Sequence, residues 1–272
     1  MIRQLINLPN EDPRKVILVA LTLCLVCATV VSTAAVMLRP QQEANKALDR
    51  KKNILVAAGL LQTGERPPAT RIESRFAERI ETRLVDLESG EFSDALDPVS
   101  YDQRLASRDP ERSTALAEHE DVAGIGRRAR YAPVYLVRDG SGRLQQLVIP
   151  VHGYGLWSTM YGYLALRDDL NTVAGITFYE HGETPGLGGE IDNPAWQAKW
   201  VDKTVYGADG TPRLEVIKGS VNPNSPHPEY QVDGISGSTL TGDGVSNMVT
   251  FWMGANGFGP FLERIRETGV ES

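Results

Sequence analysis

The sequence predicts an α+β chain: one N-terminal transmembrane helix, then a domain built on an antiparallel sheet with flanking helices. Three observations carry that prediction. The 23 residues from Val16 to Leu38 hold no charge. Between residues 131 and 218, three pairs of β-rich runs are joined by short turn segments. Helix-rich runs lie before and after those pairs, and strand pairs on tight turns with segregated helices define the α+β class.

As a helix, Val16 to Leu38 is about 35 Å long, enough to cross a hydrocarbon core of about 30 Å. Arg14 and Lys15 abut one end, Arg39 and Pro40 the other. The run exceeds the roughly 7–15-residue core of a cleaved signal peptide and ends at no small-x-small site, so it reads as a membrane anchor over 16–38. Residues 1–15 then form a short cytoplasmic tail and the large remainder is exported, because long domains translocate largely regardless of their charge. Both cysteines, Cys24 and Cys27, fall inside the apolar run. Their C-x-x-C spacing reads as small apolar filler, or as half of a site shared with another protein of the same membrane assembly. The exported part has no cysteine, so any redox chemistry there would need a bound cofactor.

Gln41 to Leu61 favours helix, and Pro67-Pro68 breaks it. Arg71 to Leu87 reads as a second, highly charged helix ending at Ser89-Gly90. Residues 39–100 are therefore expected to be a helical linker and docking region, and 101–272 the sheet domain. Phe92 to Arg130 reads as loop and short helix. Ala132–Val137 with Leu144–Val151, and Tyr163–Arg167 with Val173–Glu180, read as hairpins; Thr204–Tyr206 with Leu214–Lys218 is a third candidate. Val245 to Gly254 reads as a helix starting after Asp243. Residues 41–272 carry 24 basic and 33 acidic side chains, a net charge of −9, which argues against a nucleic-acid partner.

The chemistry concentrates in Asp233-Gly234-Ile235-Ser236-Gly237-Ser238-Thr239-Leu240-Thr241. Five of these nine side chains are a carboxylate or a hydroxyl, and a helix follows whose N-terminus favours an anion. Such a loop can also be a plain solvated turn. It is no nucleophile elbow: the final glycine is missing and the last histidine, His227, lies upstream. By chemistry alone Ser236, Ser238, Thr239 and Thr241 are equivalent candidates for carrying a phosphate ester.

The string resembles the flavinylation motif Asp-x-x-(Ser/Thr)-Gly-Ala-(Ser/Thr)-x-(Ser/Thr) of FMN-binding domains, with Ser238 in place of the alanine. That resemblance implies that a flavin transferase esterifies FMN onto Thr239, beside Ser236, Gly237 and Ser238. Two further strings, GLWSTMYG (155–162) and GITFYEHGETPGLGGEI (175–191), are similar, with the first, to the C subunit of the sodium-translocating NADH:quinone reductase. The resemblance runs over practically the whole chain. It implies one covalent FMN on the exported side, contacted by Glu183, Thr184, Pro185, Gly186, Leu187 and Gly188, with Trp157, Ser158, Thr159 and Met160 as a second wall. Lys218 reads as a solvated lysine or as a counter-charge to the flavin.

Also implied is a place among six subunits in a bacterial inner membrane, with the main domain periplasmic. The complex takes electrons from NADH, passes them to ubiquinone and couples the flow to sodium export; this chain relays electrons and turns over no substrate alone. No metal site and no catalytic side chain are expected on it, and its partners are the other subunits, the transferase and membrane lipid. Two readings compete: the G subunit of the related Rnf complex, and an anchored scaffold domain without cofactor.

Overall fold

The computed structural model of the chain describes residue 9 and residues 11–270. Most of the tail expected over 1–15 lies outside them. Helix α1 runs unbroken from Pro13 to Ala57, 45 residues with Pro40 inside. Its apolar stretch is long enough to cross a membrane, and none of that stretch is buried. The hydroxyls of Thr22, Thr29 and Thr33 donate to carbonyls one turn back at 2.7–2.8 Å, so these three present no free hydroxyl hydrogen to an apolar surrounding. Cys24 and Cys27 are exposed on this helix. The chain divides into two compact units, 1–49 and 50–272.

In the second unit the end of α1 buries Ile54, Leu55 and Ala57. Gly175 has no side chain where the Ala57 carbonyl comes to 2.5 Å from a Cβ position, so helix and strand meet closely there. The helix stops four residues before the expected Leu61, in a turn where Gly59 is left-handed. Pro68 then caps α2 (Ala69–Arg79), so the proline pair opens a helix.

The expectation of one helix over 71–87 is corrected. After Arg79 the chain becomes β1 (Ile80–Asp86), which turns at Gly90 into β2 (Glu91–Ser93). Along its whole length β1 also pairs with the later strand β5 (Tyr131–Arg138). Helix propensity is a weak preference that a long pairing partner overrides. The charges suit the strand too: Glu81 lies 2.7 Å from Arg138 on β5. Two sheet strands thus come from the stretch read as helical linker.

Helix α3 (Gln103–Arg108) and the short pair β3 (Ser113–Ala115) and β4 (Arg127–Ala129) follow. Both expected hairpins form: β5 with β6 (Leu144–Tyr154), and β7 (Thr159–Arg167) with β8 (Val173–Glu180). The sheet has the order β2-β1-β5-β6-β7-β8 and is antiparallel throughout. A single turn of helix, α4 (Pro194–Gln197), comes next and buries Trp196. The third hairpin is corrected to a single bridge, Tyr206 to Pro212. Beyond it, β9 (Glu215–Val216) runs parallel to β10 (Gln231–Val232). Val216 is drawn away because its N–H donates to the Ser246 hydroxyl at 2.9 Å.

Helices α5 (Thr239–Met253) and α6 (Gly259–Thr268) close the core. Trp252, Phe258 and Phe261 are fully buried with Leu136, Leu147, Ile149 and Leu164 of the sheet. The indole of Trp252 donates to the carbonyl of His152 at 2.7 Å, which fixes α5 against β6. Helix α5 begins six residues before the expected Val245, so the hydroxyl run is its first turn.

Candidate functional site

Thr239 is the first residue of α5, and its side chain is exposed. The preceding Ser236-Gly237 turn is exposed as well, and Gly237 is left-handed with φ of +72°. A side chain at Gly237 would meet Leu187 at 3.1 Å. Ser238 is buried and makes no side-chain cap. Backbone bonds in this turn run from Ser238 N–H to Ile235 and from Gly242 N–H to Ser238. The N–H groups of Thr239, Leu240 and Thr241 therefore have no acceptor among the described residues. Three unpaired donors beside an exposed threonine hydroxyl make a place for an anionic group.

The turn is held from behind. Asp233 accepts from Lys199 Nζ and from the Val221 N–H, both at 2.7 Å. These bonds, Lys199 first, hold its carboxyl below the usual range. Gly234 admits no Cβ, since one would lie 2.3 Å from the Ile217 carbonyl. Lys218 is exposed and makes no ion pair among the described residues.

Glu183 joins three segments. Its carboxylate is buried and accepts from the Thr241 hydroxyl at 2.6 Å, from the Trp157 N–H at 2.9 Å and from the Leu156 N–H at 3.1 Å. Burial pushes its pKa up, but the Thr241, Trp157 and Leu156 donors outweigh that and hold it below the usual range. Two glycines make room for it: a Cβ on Gly155 would lie 2.6 Å from Oε1, and one on Gly188 would lie 2.8 Å from Oε2 and 2.5 Å from the Thr241 hydroxyl. Glu183, one of the expected cofactor contacts, is thus placed as a buried brace that joins three segments.

The other residues sort by depth. Trp157, at the tip of the β6–β7 hairpin, and Leu187, in the 181–188 loop, are exposed, and Leu240 joins them as a further exposed apolar side chain. Thr184, Pro185 and Gly186 form the end of that loop, with the Thr184 carbonyl accepting from Leu187 and Gly189. Ser158 is half-buried and accepts from the Gly182 N–H at 2.6 Å; Thr159, opposite Tyr154, starts β7. Met160 is fully buried, close to the Cβ positions of Gly155 and Gly244, and so packs beneath the hairpin. Gly188 is also buried. Contacts not anticipated from sequence are Thr241 to Glu183, Lys199 to Asp233 and the exposure of Leu240. The Glu183 partner lies 58 residues away in the chain, so no local pattern announces it.

Comparison with known proteins decides the family. A Pseudomonas aeruginosa protein named as the C subunit of the Na(+)-translocating NADH-quinone reductase is 51% identical over 258 residues, 95% of this chain and 98% of its own. The chain belongs to this C-subunit family. A Yersinia pestis protein of the same name is 47% identical over 97% of both chains. The family model for the FMN-binding domain matches residues 155–254, which takes in the hairpin tip, the 181–188 loop and the first turn of α5. The crystal structure of Shewanella oneidensis NqrC, 34% identical, superposes with a TM-score of 0.75 over 82% of this chain and 99% of that one. The family's FMN-binding domain is thus present here, α+β in fold.

Proposed function

We propose that this chain is a membrane-anchored electron carrier whose FMN is joined through its phosphate to Thr239. The observation that carries the reading is the exposed Thr239 hydroxyl beside the unpaired N–H groups of residues 239–241 at the start of a 15-residue helix. Those donors suit a phosphate diester, whose remaining negative charge the helix end favours. Around them, Trp157, Leu187 and Leu240 offer exposed apolar surface for a flat ring. FMN supplies electron transfer one electron at a time; the chain supplies position and environment. Thr239 serves as the tether, Leu187 is set in place by Gly237 and by its own loop, and Glu183 keeps hairpin, loop and helix in one arrangement.

On this reading α1 crosses the inner membrane once, the main domain is periplasmic and a flavin transferase carries out the attachment. The relatives' name supports a place among the subunits of a sodium-translocating NADH-quinone reductase; six subunits and ubiquinone as the acceptor rest on the resemblance. The test is peptide mass spectrometry on the full chain purified from its native host. The expected result is a mass increment of FMN less one water on the peptide containing Thr239, absent in Thr239→Ala. An unmodified peptide from cells with an active transferase would overturn the tether, and an increment that survives Thr239→Ala would move it to Ser236 or Ser238.

A further inference from the structure

The 181–192 segment is closed at its base by one histidine. The His181 side chain is only 11% exposed, and its Nε2 lies 2.8 Å from Oδ2 of Asp192. Its Nδ1 lies 3.2 Å from the Glu183 nitrogen. A backbone N–H can only donate, so Nδ1 is the acceptor and carries no proton. Nε2 then holds the ring's single proton and donates it to Asp192, a carboxylate fixing a tautomer through the far nitrogen. Asp192 ends the 3-10 helix Gly188–Asp192, so this bond ties the first residue of the loop to the element that follows it.

The neighbours of His181 complete the clamp. Gly182 donates from its backbone to Ser158 on the hairpin at 2.6 Å, and the side chain of Glu183 holds the same hairpin and Thr241. Three consecutive residues thus fix the loop to three separate elements. The loop's end, Thr184 to Leu187, makes its backbone bonds within the segment itself, through the Thr184 carbonyl. Its place against Gly237 is therefore set from its base.

We propose that neutral His181, in the Nε2–H tautomer, is the positioning residue of the flavin loop: by accepting from Glu183 N–H it aims the Glu183 carboxylate and holds Leu187 against Gly237. This rests on the flavin reading above. The polar partners of the side chain are Asp192 and the Glu183 N–H, so it acts through Glu183.

The experiment compares His181→Asn, His181→Gln and His181→Ala in the full chain in detergent, with amide exchange at Glu183 and the flavin's midpoint potential as readouts. Asparagine can present its oxygen near the Nδ1 position, whereas glutamine reaches towards Asp192 and offers Glu183 nothing. His181→Gln and His181→Ala should speed Glu183 exchange by about tenfold, the loss of one buried hydrogen bond, and shift the potential. His181→Asn should keep both near the wild-type values. Equal behaviour of the Asn and Gln variants would overturn the proposal, as would unchanged exchange in His181→Ala; if the Ala variant does not fold, the Asn and Gln pair carries the test. Exchange is measurable in flavin-free protein, so a chain without flavin sinks the tether and leaves the clamp still on trial.

Discussion

At the scale of single residues, Glu183 concentrates the most consequence in the fewest atoms. Its carboxylate is ionised in the folded chain and its pKa is held down, so it contributes stability above the ordinary carboxylate range of about 4.3. That contribution is lost as pH falls through the lower folded value, where protonation removes an acceptor from two backbone N–H groups and a hydroxyl. Glu183→Gln should lose about 1–3 kcal/mol at neutral pH, because an amide NH2 then faces a donor. Urea titrations at pH 7 and pH 3 test both points: the wild type should weaken on acidification by more than the variant does. Equal acid sensitivity in the two would show that the brace does not titrate. Sequence reading reached this residue only as part of a glycine-rich string. That the hydroxyl loop and Leu187 lie at the surface was legible, because a Ser/Thr/Gly run and a leucine among glycines are local signals. Depth was not legible: Met160 and Glu183 lie behind the surface because of partners brought by the β6–β7 tip and α5, which no spacing along the chain encodes.

At the scale of elements, the site is a junction of a hairpin tip, a loop and a helix start that fit because specific side chains are absent. Gly188 shows this most directly, since a Cβ there would press on both the Thr241 hydroxyl and Glu183. Neither neighbour is the free end of a flexible chain; each is held by hydrogen bonds to the other segments. Gly188→Ala should therefore cost about 1–3 kcal/mol by overpacking and spread the hairpin from α5. Thermal unfolding together with the yield of flavin-bearing chain reads both effects, and an unchanged melting temperature would show that the junction yields without cost. The two long hairpins were legible from alternation and turn residues. Strand β1 was not, because Glu81 and Arg83 alternate with other side chains in a pattern equally suited to a charged helix, and its partner β5 lies some 50 residues further on. The parallel pairing of β9 with β10 was hidden for the same reason, since two residues a side carry almost no pattern.

At the scale of the whole molecule, the division at residue 50 separates an exposed apolar helix from a domain with its own core. The last turns of α1 belong to that core, with Ile54 and Leu55 fully buried. A chain starting at Arg50 should therefore stay in the aqueous fraction without detergent and fold with near-native stability. One starting at Gln62 should lose several kcal/mol, since burial of a single large aliphatic side chain is worth about 2–5 kcal/mol. Sedimentation after membrane extraction and denaturant titration check the two halves of that statement; equal stability of the two truncations would show that the helix end is dispensable. The long apolar helix was the clearest feature of the sequence, because an uncharged run of its length needs no partner to be recognised.

The bond between Thr241 and Glu183 joins residues 58 apart, and the cradle at Thr239 exists only when sheet, loop and α5 have all come together. Where attachment needs that cradle, colour reports completed folding. A covalent flavin would then stay on a molecule that later unravels, so a preparation's yellow intensity would count the chains that have ever folded, and their activity the chains that still are.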